Sequence, residues 1–128
     1  MDALSDKIAA DIAELIGEAL PTGLSLRSAG SNILLLSSDQ VLGCSPALEI
    51  IDDNDGRSLR EKIEIAVRSA LSGIQDVVIE SQGDLWPGQS GHGADVPQPN
   101  CRTAGRELLV WFGDEAAPAL SISPIKLG

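Results

Sequence analysis

The segment SLREKIEIAVRSALSG, Ser58 to Gly73, constrains the fold more than any other part of the chain. Leu59, Ile63, Ala66, Val67, Ala70 and Leu71 fall at i, i+4, i+7, i+8, i+11 and i+12, which draws one apolar stripe down an α-helix. Ser58 and Glu61 have the spacing of a capping box, each side chain reaching a backbone N–H that the first helical turn leaves unpaired. Gly73 stands where a left-handed residue would end the helix. Arg57 with Glu61, Arg60 with Glu64 and Glu64 with Arg68 are set for i,i+4 ion pairs on the solvent side, at about 0.2–0.5 kcal/mol each. Burial of the stripe is worth about 10 kcal/mol before entropy is subtracted. Packing against the rest of the chain therefore decides whether this helix forms.

What it packs against is read in order. Residues 3–20 form a second amphipathic helix through Leu4, Ile8, Ile12, Leu15, Ile16 and Leu20, with Asp2 as a capping residue and Pro21-Thr22-Gly23 as its end. Leu24–Ser28 alternates apolar and polar, as a strand with one wet face does. After the turn Ala29–Asn32, Ile33–Leu36 is continuously apolar, so the two strands form a hairpin. Ser37–Pro46 reads as a polar connection, Leu48–Ile51 as a candidate third strand and Val77–Glu80 as a strand after the central helix. Residues 81–105 hold five Gly and three Pro without periodicity, a long loop of the kind usually reserved for function. Leu108–Phe112 reads as a strand, and Ala119–Leu127 as an edge strand limited by Pro124. No internal repeat stands out. The expectation is one α+β domain over residues 1–128, in two layers. Its two helices lie on one face of a mainly antiparallel sheet of four to six strands, and the long loop sits at 81–105.

Charge narrows the partners. Nineteen Asp and Glu against nine Lys and Arg give a net charge of −10, a field that repels phosphate backbones and anionic lipid and attracts a cationic protein. Neither nucleic acid nor membrane is expected as a partner. No apolar run approaches the ~20 residues that span a bilayer, and two cysteines, Cys44 and Cys101, make no disulfide framework. A reduced, cytoplasmic protein is the expectation.

Residues that carry chemistry are few. Asp52-Asp53-Asn54-Asp55-Gly56 suggests a calcium loop, but placing Gly56 sixth puts Ile51 first and Lys62 twelfth, where carboxylates are needed. Acidic residues near a helix N-terminus account for the stretch. His92 is the single histidine. It lies two residues from Ser90 without the strand-to-helix elbow of a serine nucleophile, and no residue is assigned a catalytic role. His92, Asp95 and Cys101 share the long loop as candidate zinc ligands, yet they lack the close ligand pairs of structural zinc sites. No metal or cofactor is expected. Trp86, Trp111 and Phe112 are the only aromatic residues. They are the candidate partner-binding residues, since tryptophan is enriched at binding hot spots.

In element order and acidity, residues 3–112 resemble the small secretion chaperones, dimeric α/β proteins that hold an effector segment in extended form. The chain departs from them at Leu120–Leu127, where a Pro-containing strand replaces their last helix. Toxin-neutralising immunity proteins are similar in size and acidity. The acidic field, the lack of convergent catalytic residue types and an expected exposed sheet edge point to a non-catalytic, acidic protein-binding module with a basic protein partner. Homodimerisation is one way to cover the strand at Leu120–Ile122 or the Trp111-Phe112 face. The alternative is an enzyme or zinc-dependent protein working through His92 and Cys101 of the long loop.

Overall fold

A computed structural model of the chain describes residues 2–38, 40–45, 58–83, 86–87 and 97–127. The elements run α1 (Asp2–Gly17), β1 (Leu24–Ala29), β2 (Asn32–Ser37), β3 (Gln40–Cys44), α2 (Leu59–Gln82), β4 (Pro99–Ala104), β5 (Glu107–Asp114), β6 (Ala117–Ser121) and β7 (Ile125–Lys126). The fold is α+β in two layers, helices against antiparallel strands, as expected. The strands form two sheets, β1-β2-β3 and β4-β5-β6, with β7 pairing the edge of β5 beside β6.

The central helix starts where the capping box puts it. Ser58 Oγ accepts from the Glu61 N–H at 3.2 Å. Its end does not come at Gly73. The helix runs on to Gln82, where Gly83 takes the left-handed conformation (φ 73°) and its N–H donates to the Ile79 carbonyl at 2.8 Å. Residues 77–80, which read as a strand, are thus helical. Ile74 and Val78 extend the stripe of Ile63, Val67 and Leu71, and all five are buried. Helix propensity penalises a β-branched residue by tenths of a kcal/mol, whereas burying each aliphatic side chain returns about 1.5–3 kcal/mol. Packing wins. The expected pairs of Glu64 with Arg60 and Arg68 do not form either. Glu64 Oε2 accepts from the Thr103 backbone N–H at 2.7 Å and from Thr103 Oγ1 at 3.1 Å, tying α2 to β4.

Two stretches read as loop contain strands. Val41 and Leu42 lie in β3, inside the expected polar connection, and Pro99–Ala104 is β4, inside the expected long loop. In β4 the alternation is real, with Pro99 and Cys101 buried and Arg102 exposed. The candidate strand at 48–51 lies outside the described residues.

One core joins the layers. Ile8, Ile12 and Ile16 of α1 and the α2 stripe meet Ile33 and Leu35 of β2, Leu108, Val110 and Phe112 of β5, and Ile125 of β7.

The architecture is a helix followed by a three-stranded meander, written twice. Arg27-Ser28-Ala29-Gly30 and Arg102-Thr103-Ala104-Gly105 occupy the same place in the first hairpin of each unit. Arg27 stands opposite Leu34, and Arg102 opposite Leu109. Each turn has glycine at its first loop position with positive φ, 62° at Gly30 and 63° at Gly105, the arrangement a type II′ turn requires. The irregularity in the second hairpin repeats as well. Leu42 is the extra residue between the Leu36–Val41 and Leu35–Gly43 pairs, and Ala119 is the extra residue between Gly113–Pro118 and Phe112–Leu120.

Candidate functional site

The three aromatic residues do not share a surface. Phe112 is fully buried and Trp86 is 6 % exposed, and their rings meet edge to face at 5.4 Å between centroids. Trp86 Nε1 donates to the Ala19 carbonyl at 3.3 Å, so the indole closes the chain just after α1. Trp111 follows from strand alternation: next to an inward Phe112, it lies on the outer face of β5 and is half-buried. Its Nε1 is shielded from solvent and has no hydrogen-bond partner among the described residues. Trp86 and Phe112 are therefore core residues, and of the expected binding trio Trp111 alone retains partial exposure.

Gln75 was not singled out by the sequence, yet it is a buried polar residue on the apolar side of α2. Its Nε2 donates to the carbonyl oxygens of Trp86, at 3.2 Å, and Pro97, at 2.7 Å. One amide thus fixes both described flanks of the long connection. A glutamine interrupting an apolar stripe at a core position is the signal that could have identified it.

Of the candidate zinc ligands, His92 and Asp95 lie outside the described residues. Cys101 faces α2, where its thiol donates to the Glu64 carbonyl at 3.3 Å. Burial pushes its pKa up to about 12, with Glu64 adding to the rise and Arg68 opposing it. A metal ligand or nucleophile must be a thiolate, and this site disfavours one. Cys44 is exposed on β3, and both thiols are free. Among the described residues no group of three or more His, Cys, Asp or Glu gathers as a metal site.

The surface that stands out is the β3 edge. Val41 is 50 % and Leu42 41 % exposed, on a strand whose one described strand partner is β2. The bulge at Leu42 turns that side chain away from the register of its neighbours. Behind the strand, Gly43 lies against Val77 of α2. Asp76 and Glu80, on the same stretch of the helix, are exposed. An apolar strand edge is thus set beside a helix segment bearing two solvated carboxylates. Val41-Leu42, two adjacent apolar residues within a polar stretch, was the available sequence signal. Among the described residues, no helix is long and apolar enough to cross a membrane. No protein-family model matches the chain, and no curated protein or solved structure matches it.

Proposed function

We propose that the protein is a non-catalytic, acidic binding module that takes a cationic, extended segment of a partner protein along β3, in the manner of an adaptor, a secretion chaperone or an immunity protein. The observation that carries this reading is the β3 edge, with Val41 and Leu42 open to solvent and Asp76 and Glu80 exposed on the helix behind it. An edge strand offers a row of unpaired backbone groups, and an added strand gains its affinity from them and its specificity from side-chain positions. The net charge of −10 draws a basic segment in and opposes nucleic acid and anionic membranes. A cytoplasmic setting suits two free thiols.

The test is selection from a random displayed-peptide library against the intact protein. Enriched sequences should combine Lys or Arg with alternating apolar residues. Their binding should weaken as added salt shortens the screening length from about 10 to about 3 Å. Asp76→Lys with Glu80→Lys should abolish selection of the basic peptides, and Leu42→Lys should weaken binding of every selected sequence. Enrichment that ignores all three positions would reject this reading. So would light scattering that shows a homodimer broken by Leu42→Lys, because the edge would then be occupied by a second copy.

A further inference from the structure

A groove of about 300 Å³ opens between the start of α1, the start of α2, the β4–β5 turn and the segment after β7. Leu4, Leu59, Ile63 and Leu127 supply its apolar lining, and Arg60 and Arg106 its charge. We propose that this groove binds a free monocarboxylate bearing an unbranched apolar tail, with the two guanidinium groups taking the carboxylate.

Two arginines line this one apolar groove. In a chain of net charge −10, Lys7 pairs with Asp11, Arg102 with Glu115 and Lys126 with Glu107, and Lys62 also has a partner. Arg60 and Arg106 are exposed and have no ion-pair partner among the described residues, as is also true of Arg27 and Arg68, but only Arg60 and Arg106 line this groove. Of the nearby acids, Glu64 is held by Thr103 and Glu107 by Lys126. Among the described residues, none that lines the groove is acidic. The fold does not demand this arrangement. At the corresponding turn of the first unit Ser31 stands in place of Arg106, and the nearest side chain to Gly30 is Asp6, with 4.0 Å between its Oδ1 and a Cβ built on the glycine.

Size and charge select the ligand. A cavity of about 300 Å³ is at the small end of ligand sites, which suits a small molecule and not a folded partner. Guanidinium groups match the planar carboxylate in a forked, charge-assisted geometry. The surrounding field is strongly negative, so a monoanion is favoured over a dianionic phosphate of the same tail.

The experiment is calorimetric titration of the intact protein with decanoate, decanol and decyl phosphate. Saturable one-to-one binding of decanoate is expected, with decanol about tenfold weaker, the loss expected when a charge-assisted pair is removed. Decyl phosphate should also bind more weakly than decanoate. Arg60→Ala with Arg106→Ala should weaken decanoate about tenfold, whereas Arg27→Ala with Arg68→Ala, which removes the same charge elsewhere, should leave binding unchanged. Leu59→Glu, at an exposed position, should abolish it. Equal binding of decanol, tighter binding of decyl phosphate, equal losses from both arginine pairs, or no binding of decanoate would overturn the proposal.

Discussion

Gly43 and Val77 are packed so closely that a Cβ on the glycine would stand 2.5 Å from Val77 Cγ1. The contact brings β3 onto the C-terminal part of α2, and it holds only because one partner has no side chain. Gly43→Ala should therefore destabilise the protein by about 1–3 kcal/mol, the usual cost of overpacking. Combining it with Val77→Ala should recover most of that loss, since the clash then has no second atom. Urea denaturation of the two single variants and the double variant measures the coupling.

Gln75 makes a second prediction. Replacing it with leucine keeps the volume but leaves the Trp86 and Pro97 carbonyl oxygens without their donor. A buried acceptor left unpaired costs about 1–3 kcal/mol, so Gln75→Leu should be destabilising although it makes the α2 stripe wholly apolar. Stability equal to that of the native chain in urea would mean that the two carbonyls are satisfied elsewhere.

The tryptophans should separate sharply. Trp86→Ala removes a buried ring, its edge-to-face contact with Phe112 and its bond to Ala19, and should cost about 3–5 kcal/mol. Trp86→Phe keeps most of the packing and should lose about 0.5–1.5 kcal/mol through the missing N–H donor. Trp111→Ala, at a half-buried position on the outer face, should cost less than Trp86→Ala. Thermal unfolding of the three variants gives the order.

Cys101 predicts a pH dependence. Burial holds its thiol protonated up to about pH 12, whereas an unfolded cysteine loses its proton near 8.5. Between those values the native state binds more protons than the unfolded state, so stability falls as pH rises. The contribution is complete below about pH 8.5 and shrinks by on the order of 1 kcal/mol per pH unit above it. Cys101→Ala should flatten this part of the stability profile. At pH 8 a thiol reagent should modify Cys44 in the native protein and reach Cys101 only after unfolding.

What the sequence made legible follows from where the governing interaction is local. The α2 stripe and its Ser58 cap are set within a few residues, and so is the β1–β2 hairpin. Each appears as read. The errors fall where a distant contact decides. Gly73 looks like a helix end, and Val77–Glu80 like a strand, until Val78 is seen to be buried and Val77 to face Gly43. The inward alternation of Pro99 and Cys101 is hidden by prolines and glycines around it. Phe112 and Trp111 read as one face because they are adjacent in sequence, yet neighbours on a strand point to opposite faces. The repeat was present as Arg-Ser-Ala-Gly and Arg-Thr-Ala-Gly, a match only four residues long that pairing register made plain. The groove at Arg60 and Arg106 joins residues 46 positions apart, and no local pattern announces it.

The paired hairpins have a consequence for how the two halves differ in chemistry. Turn geometry in each is fixed by its glycine, Gly30 or Gly105, and the residue that follows is left without a conformational duty. In one half that free position is a neutral hydroxyl, Ser31, and in the other a cation, Arg106. A scaffold that repeats itself can thus keep its shape in duplicate while reserving one corner for a charge the other does not carry.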